Sequence, residues 1–245
     1  MTAPSGEKTL DAILGGAIKL IQPRRGYRFS VEAILLGRFV PVRPGERILE
    51  LGAGCGVVSI MLAALHRPRE VVAVEIQRAL AAMIARNAAI NGLDAVRALC
   101  ADIRDRRIGG LATGGFDLVI ANPPFRAPRT GRESPNRGRR LARSGGGAAL
   151  ADFVAASRRY ARNGGRVAFV FTAARSAELI AMMRANRLEP KRIRFVHPRL
   201  EAPASSVLIE ARAGGGIEVS IEAPLILYAR EGIYTDEARA MLEAP

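Results

Sequence analysis

The sequence predicts an α/β fold, a doubly wound sheet of mostly parallel strands, on three observations. Short apolar runs alternate with stretches of helical periodicity along most of the 245 residues. One such run, Arg47-Ile48-Leu49-Glu50-Leu51, leads into Gly52-Ala53-Gly54-Cys55-Gly56 and then into a helical pattern from Val57 to about Leu65. Three acids, Glu50, Glu75 and Asp102, stand at successive strand ends, on the carboxyl edge where parallel sheets bind ligands. The length and 49% hydrophobic content suit one domain spanning residues 1–245, with 1–43 as a lead-in and helix packed on the core.

In chain order, Leu10 to Ile21 has apolar residues at mixed periods with Gly15-Gly16 inside, which reads as a short hairpin or extended lead-in. Ser30 is placed to cap a helix presenting Val31, Ile34, Leu35 and Phe39 and ended by Pro41. Glu70 to Val74 is the second strand. The next helix presents Leu80, Met83, Ile84 and Ile90 and stops at Asn91-Gly92. Val96 to Cys100 and Phe116 to Ala121 are the third and fourth strands. Helical periodicity returns from Ala148 to about Ala161 and is closed by Gly164-Gly165. Val167 to Phe171, Ile193 to Val196 and Ser206 to Ala211 complete seven strands, with a helix at Leu179 to Met183 between the first two. Gly214-Gly215-Gly216 turns into a last extended segment, Ile217 to Ile221.

Strand, glycine loop and helix together form a nucleotide-binding arrangement, because glycines let the backbone approach a ligand and the helix start offers free N–H groups. Glu75 lies 19 positions after Gly56, where an acid accepts both ribose hydroxyls of a nucleoside, and Asp102 is placed to accept from an exocyclic adenine amine. Each acid taken singly also fits a helix cap. The fourth strand runs into Asn122-Pro123-Pro124-Phe125, and the prolines forbid its continuation. That rigid turn fixes an amide, two prolyl carbonyls and an aromatic ring, an arrangement suited to gripping a planar group bearing NH2.

The net charge of +14 points to a polyanionic partner, since clustered cations gain affinity by releasing counterions from phosphates. The 34 arginines against three lysines have a blander explanation in genome composition. Placement favours function: Arg126, Arg129, Arg132, Arg137, Arg139, Arg140 and Arg143 follow the turn directly, against the single acid Glu133. Residues 126–147 therefore read as a basic, nucleic-acid-binding substrate loop. Cys55 and Cys100 form no disulfide framework and, with only His66 and His197 beside them, no metal-ligand spacing. The start, Met1 to Lys8, lacks the apolar stretch of a signal peptide and no apolar run is long enough to cross a bilayer, so a cytoplasmic location is expected.

Motifs from Gln22 to Tyr234 resemble the bacterial valine-tRNA adenine N6-methyltransferase family, a branch of the class I S-adenosylmethionine-dependent methyltransferases. The matching stretches are Gln22-Pro23, Gly26-Tyr27-Arg28-Phe29-Ser30, Glu50 to Gly56, Val74-Glu75-Ile76-Gln77, Asn122 to Phe125 and Ser134-Pro135-Asn136. They continue with the Arg139 to Arg143 run, Pro224 to Tyr228 and Tyr234-Thr235. The glycine loop and the Asn-Pro-Pro turn specify the superfamily; the basic loop and the chain ends point to the branch. The resemblance implies a Rossmann-like, seven-stranded, mostly parallel sheet with helices on both faces. It implies S-adenosylmethionine bound by Arg28, Ser30, Glu50, Gly52, Ala53, Gly54, Cys55, Gly56, Glu75, Ile76, Asp102, Ile103 and Asn122, and an anticodon-loop adenine of tRNA as acceptor. Asn122, Pro123, Pro124 and Phe125 are then catalytic, with Phe125 stacking on a base turned out of its loop. Phe125 departs from the tyrosine common in that family and is frequent in enzymes that methylate guanine amines, which keeps an rRNA guanine N2 as an alternative acceptor. A protein glutamine amide offers the same planar NH2, but those enzymes carry a larger helical domain before the glycine loop. A non-catalytic RNA-binding protein on the same fold predicts damaged motifs, and none is visible.

Overall fold

The computed structural model describes residues 8–25, 28–125 and 149–244. It begins with an antiparallel hairpin, β1 (Lys8–Ile13) and β2 (Ile18–Pro23), followed by α1 (Val31–Phe39). Strands and helices then alternate: β3 (Arg47–Leu51), α2 (Val57–His66), β4 (Glu70–Glu75), α3 (Arg78–Ile90), β5 (Val96–Cys100) and β6 (Phe116–Ala121). After the undescribed residues come α4 (Leu150–Tyr160), β7 (Ala161–Thr172), a 3-10 turn (Ala173–Arg175), α5 (Ser176–Ala185), β8 (Leu188–His197) and β9 (Ser206–Ala213). Short strands β10 (Ser220–Ile221) and β11 (Leu225–Ile226), a hairpin β12 (Tyr228–Arg230) and β13 (Ile233–Tyr234), and α6 (Asp236–Glu243) end the chain.

The seven expected strands lie in the order β5-β4-β3-β6-β7-β9-β8. The first five are mutually parallel, and β9 runs antiparallel between β7 and β8. β10 and β11 widen the expected sheet by pairing with successive parts of β8. The pleat sends neighbouring residues to opposite faces. Ile48, Leu118, Ala168 and Leu208 join one buried cluster with α1, α2 and α6, while Leu49, Val119, Phe169 and Val207 join another with α4 and α5. No helix among the described residues is long and apolar enough to cross a membrane.

Three local expectations are corrected. Helix α4 ends at Tyr160, ahead of Gly164-Gly165, because β7 already pairs at Ala161 with Phe116 and absorbs the glycines in an irregularity before Arg166 pairs with Leu118. The segment from Ile217 forms a strand only at Ser220–Ile221. The helix α6 was not expected; Thr235 caps it by accepting from the Ala238 N–H at 3.2 Å, while donating its hydroxyl to the Ile226 carbonyl at 2.6 Å. Ser30 does precede α1, but its side chain makes no cap bond; its carbonyl accepts from Ala33.

The hairpin is fastened to α3 by two asparagines one turn apart. Asn87 accepts from the Ile21 N–H at 2.7 Å and donates to the Ile21 carbonyl at 3.0 Å, and Asn91 does the same for Lys19 at 3.0 and 2.7 Å. Side-chain amides thus replace a neighbouring strand along β2. Asn87, fully buried, also donates to the Cys55 carbonyl at 2.9 Å and so ties the hairpin to the glycine loop.

Candidate active site

β3 delivers Glu50 and the glycine loop to the carboxyl edge. The Gly52 and Ala53 N–H groups both donate to the Val74 carbonyl at 2.9 Å, and Gly56 closes back on Ala53 at 2.8 Å. Gly52 and Gly56 have φ of 71° and 85°, a region strained for any residue with a Cβ. A Cβ at Gly52 would lie 2.9 Å from the Phe153 ring, and one at Gly56 3.0 Å from Ile84. Helices α4 and α3 therefore press the loop into place from its outer side.

Two carboxyls are buried against this loop, Glu50 at 3% exposure and Glu75 at 5%. Ser59, in the first turn of α2, donates its N–H to Glu50 Oε2 at 2.9 Å and its hydroxyl to the same oxygen. Glu75 accepts from the Gly54 N–H at 2.9 Å and the Gln77 N–H at 2.9 Å. Burial pushes the Glu50 carboxyl up to about 7, offset in part by the Ser59 bonds and reinforced by the charge of Glu75. Burial also raises Glu75. Among the described residues no lysine or arginine bonds to either carboxyl. Two acceptors held out of water without a cation suit a ligand bearing positive charge and hydroxyl donors, and S-adenosylmethionine, with its ammonium, sulfonium and ribose hydroxyls, fits that set.

The remaining predicted cofactor residues fall unevenly. Ile76 follows Glu75 with 46% of its surface exposed, an apolar face at the sheet edge, while Ile103 is buried in the core. Asp102 lies at the end of β5, but Arg104 occupies its carboxylate, Nη2 to Oδ2 at 2.6 Å, and holds it below the usual range. Arg28 is drawn to the hairpin, donating to Thr9 Oγ1 at 2.9 Å and pairing with Asp11 at 3.3 Å. Ser30 is exposed. Cys55 is fully buried and its thiol is pushed up to about 12 by burial, so it is an inert filler of the loop.

The turn after β6 lies beside this cradle, since Ala121 pairs with Leu51 and the next residues, Asn122 and Gly52, leave adjacent strands together. Asn122 is half-buried, and its side-chain amide bonds to none of the described residues. Pro123 is buried; Pro124 and Phe125 are half-buried. Phe125 meets Phe171 edge-to-face, with centroids 5.8 Å apart and planes at 89°. Arg126, Arg129, Arg132, Arg137, Arg139, Arg140 and Arg143 lie outside the described residues. Sequence reasoning missed Ser59, Asn87, Phe171 and Arg175. Asn87 and Asn91 left a signal, a polar pair at helical spacing on an otherwise apolar face; Ser59 and Arg175 left none.

Residues 31–186 match a family model described as the methyltransferase small domain. A protein from Aeromonas hydrophila subsp. hydrophila, described as a tRNA1(Val) (adenine(37)-N6)-methyltransferase, is 27% identical over 215 residues, 87% of each chain. Among solved structures, a predicted O-methyltransferase from Agrobacterium tumefaciens is 25% identical with a TM-score of 0.67, over 85% of this chain and 94% of that one. A geranyl diphosphate C-methyltransferase from Streptomyces coelicolor A3(2), solved with S-adenosyl-L-homocysteine, is 17% identical with a TM-score of 0.55, over 74% of this chain and 78% of that one, a likeness of fold.

Proposed function

The chain belongs to the methyltransferase small domain family and is an S-adenosylmethionine-dependent methyltransferase; from that premise we propose that its acceptor is the N6 amine of an anticodon-loop adenine in valine tRNA. The observation that carries the chemistry is the Asn122 amide, half-buried beside the glycine loop and bonded to none of the described residues. The printed name of the Aeromonas relative supports the choice of acceptor, as does the arginine run after the turn.

The bound cofactor supplies an electrophilic methyl group on a sulfonium. Glu50, Glu75 and the backbone of Gly52 to Gly56 would hold it, and the exposed Ile76 side chain would offer an apolar contact. An aromatic amine is a poor nucleophile because its lone pair is delocalised into the ring. The Asn122 side-chain oxygen and the Pro123 carbonyl accept its two protons in hydrogen bonds, which localises the lone pair towards the methyl carbon. Pro124 keeps the turn rigid, and Phe125 stacks on the base. The amine nitrogen carries a surplus proton once methylated and loses it to solvent after transfer, so a strong base is unnecessary in this scheme, and His197 is in any case engaged by the Ala202 carbonyl at 2.8 Å. Arg126, Arg129, Arg132, Arg137, Arg139, Arg140 and Arg143 contact phosphates of the tRNA.

Nucleoside mass spectrometry on tRNA incubated with the protein and labelled cofactor tests activity, base and product together. N6-methyladenosine in valine tRNA is expected; N2-methylguanosine, label in protein alone, or no label would each refute the assignment. Asn122→Ala is expected to abolish transfer while cofactor affinity stays within a few-fold, and an active variant would remove Asn122 from its role.

A further inference from the structure

We propose that Arg175 and Glu178 are a positioning pair that sets Phe125, and through it the acceptor base, against the transfer site; the proposal rests on the reading of Phe125 as the stacking platform. Arg175 ends the 3-10 turn after β7, and its guanidinium carbon stands 5.0 Å from the centroid of the Phe171 ring. Phe125 meets that same ring at right angles. The guanidinium forks onto Glu178, Nε to Oε2 at 2.6 Å and Nη2 to Oε1 at 2.7 Å, and its Nη1 reaches the Phe125 carbonyl at 3.4 Å.

Each part of the cluster constrains the next. Phe171 is fully buried on a central strand and gives a fixed surface. The two-pronged bond to Glu178 fixes the plane of the guanidinium, which a single contact would leave free to rotate. Phe125 is thereby held at its ring by Phe171 and at its backbone by Arg175. With 30% and 39% of their side chains exposed, Arg175 and Glu178 form the kind of ion pair that adds little to stability. Its consequence is positional: Phe125 is the last described residue before the arginine-rich segment, and displacement of a stacking platform by about 1 Å costs up to about a hundred-fold in rate.

The test compares Arg175→Lys, which keeps the charge and loses the fork, with Glu178→Gln, in steady-state kinetics on valine tRNA, alongside cofactor affinity and thermal midpoint. Absence of transfer by the unaltered protein would overturn the functional reading itself, before the variants are considered. Given transfer, both variants are expected to lower kcat ten-fold or more, with KM for tRNA within two-fold and cofactor affinity and thermal midpoint unchanged. Arg175→Lys added to Phe125→Ala is expected to cause no further loss, because the pair acts through that ring. Unaltered kcat in Arg175→Lys would overturn the proposal, and so would a rise in KM at constant kcat, which would mark a phosphate contact.

Discussion

Replacing Glu50 with Gln should flatten the pH dependence of folding stability. In the folded protein this carboxyl titrates at about 7 against its ordinary 4.5, because burial disfavours the charged form. Between those values the native state retains a proton that the unfolded chain has lost, so stability falls as pH rises. The contribution is fully present below 4.5 and lost progressively as pH climbs to about 7. Integrated from pH 5 to pH 8, the loss is on the order of 2–3 kcal/mol. Glutamine keeps the oxygen that accepts from Ser59 and does not titrate. Equilibrium denaturation at both pH values, without cofactor and followed by circular dichroism because the chain has no tryptophan, measures the difference. Asp11, Asp102, Asp117 and Glu178, all lowered by their hydrogen bonds and cationic neighbours, titrate in both proteins and cancel. Equal pH dependence of the two proteins would show that Glu50 is ionised in the fold already at pH 5, and would refute the account of the cradle as two carboxyls without a cation.

Gly52→Ala should cost about 1–2 kcal/mol for its left-handed backbone alone, with the Phe153 contact adding to it; calorimetry should show cofactor affinity falling ten-fold or more, and unchanged affinity would remove the loop from the binding site. Asn87→Leu leaves the Ile21 N–H and carbonyl and the Cys55 carbonyl without their partner, at about 1–3 kcal/mol per buried group. Limited proteolysis should then cut at the β1–β2 hairpin before the protein melts, and a wild-type cleavage pattern would argue against the asparagine tie. Changing Arg137, Arg139, Arg140 and Arg143 together to Ser should weaken tRNA binding and make the slope of log K against log salt shallower, by about 0.7–0.9 for each phosphate no longer neutralised. An unchanged slope would return the arginine excess to genome composition.

The succession of strands and helices along the chain was legible because β3, β4 and β6 are near-continuous apolar runs punctuated by glycine, Asn91-Gly92 and proline, signals that act within a few residues; the spatial order of the strands, which depends on long-range pairing, was not. What escaped depends on partners distant in sequence. Helix α6 has only eight residues, and its standing rests on Thr235 reaching the Ile226 carbonyl and on Arg38 of α1 donating to the Met241 carbonyl at 3.2 Å. Glycines at 164 and 165 stop helices in general, yet here β6 claims the chain first at Ala161. At the site, residue type showed where acids stand but not what they hold. Glu50 and Glu75 accept from the N–H groups of Ser59, Gly54 and Gln77 and keep free lone pairs toward the cradle, whereas Asp102, equally well placed on the edge, is taken by an arginine two residues on.

The distribution of charge bears on whether the arginine excess is functional. Within the described residues many arginines are matched by acids: Arg47 and Arg97 by Glu70, Arg162 by Asp117, Arg166 by Glu46, Arg192 by Glu210 and Glu222, and Arg194 by Glu237. Such pairs cancel charge locally and offer little to a polyanion. Residues 126–148 hold seven arginines against Glu133, a net six of the fourteen positive charges in under a tenth of the chain. Both flanks of that segment are anchored at the site. Phe125 precedes it on the turn, against Phe171 and Arg175, and Phe153, in the first turn of the helix that follows it, lies against Gly52. A composition drift would spread unmatched cations over the whole surface. The other net eight positive charges are spread over the remaining 222 residues, so the excess is several times denser in the stretch between the Asn-Pro-Pro turn and the helix that packs on the glycine loop, which is the distribution expected if those charges serve the proposed tRNA acceptor.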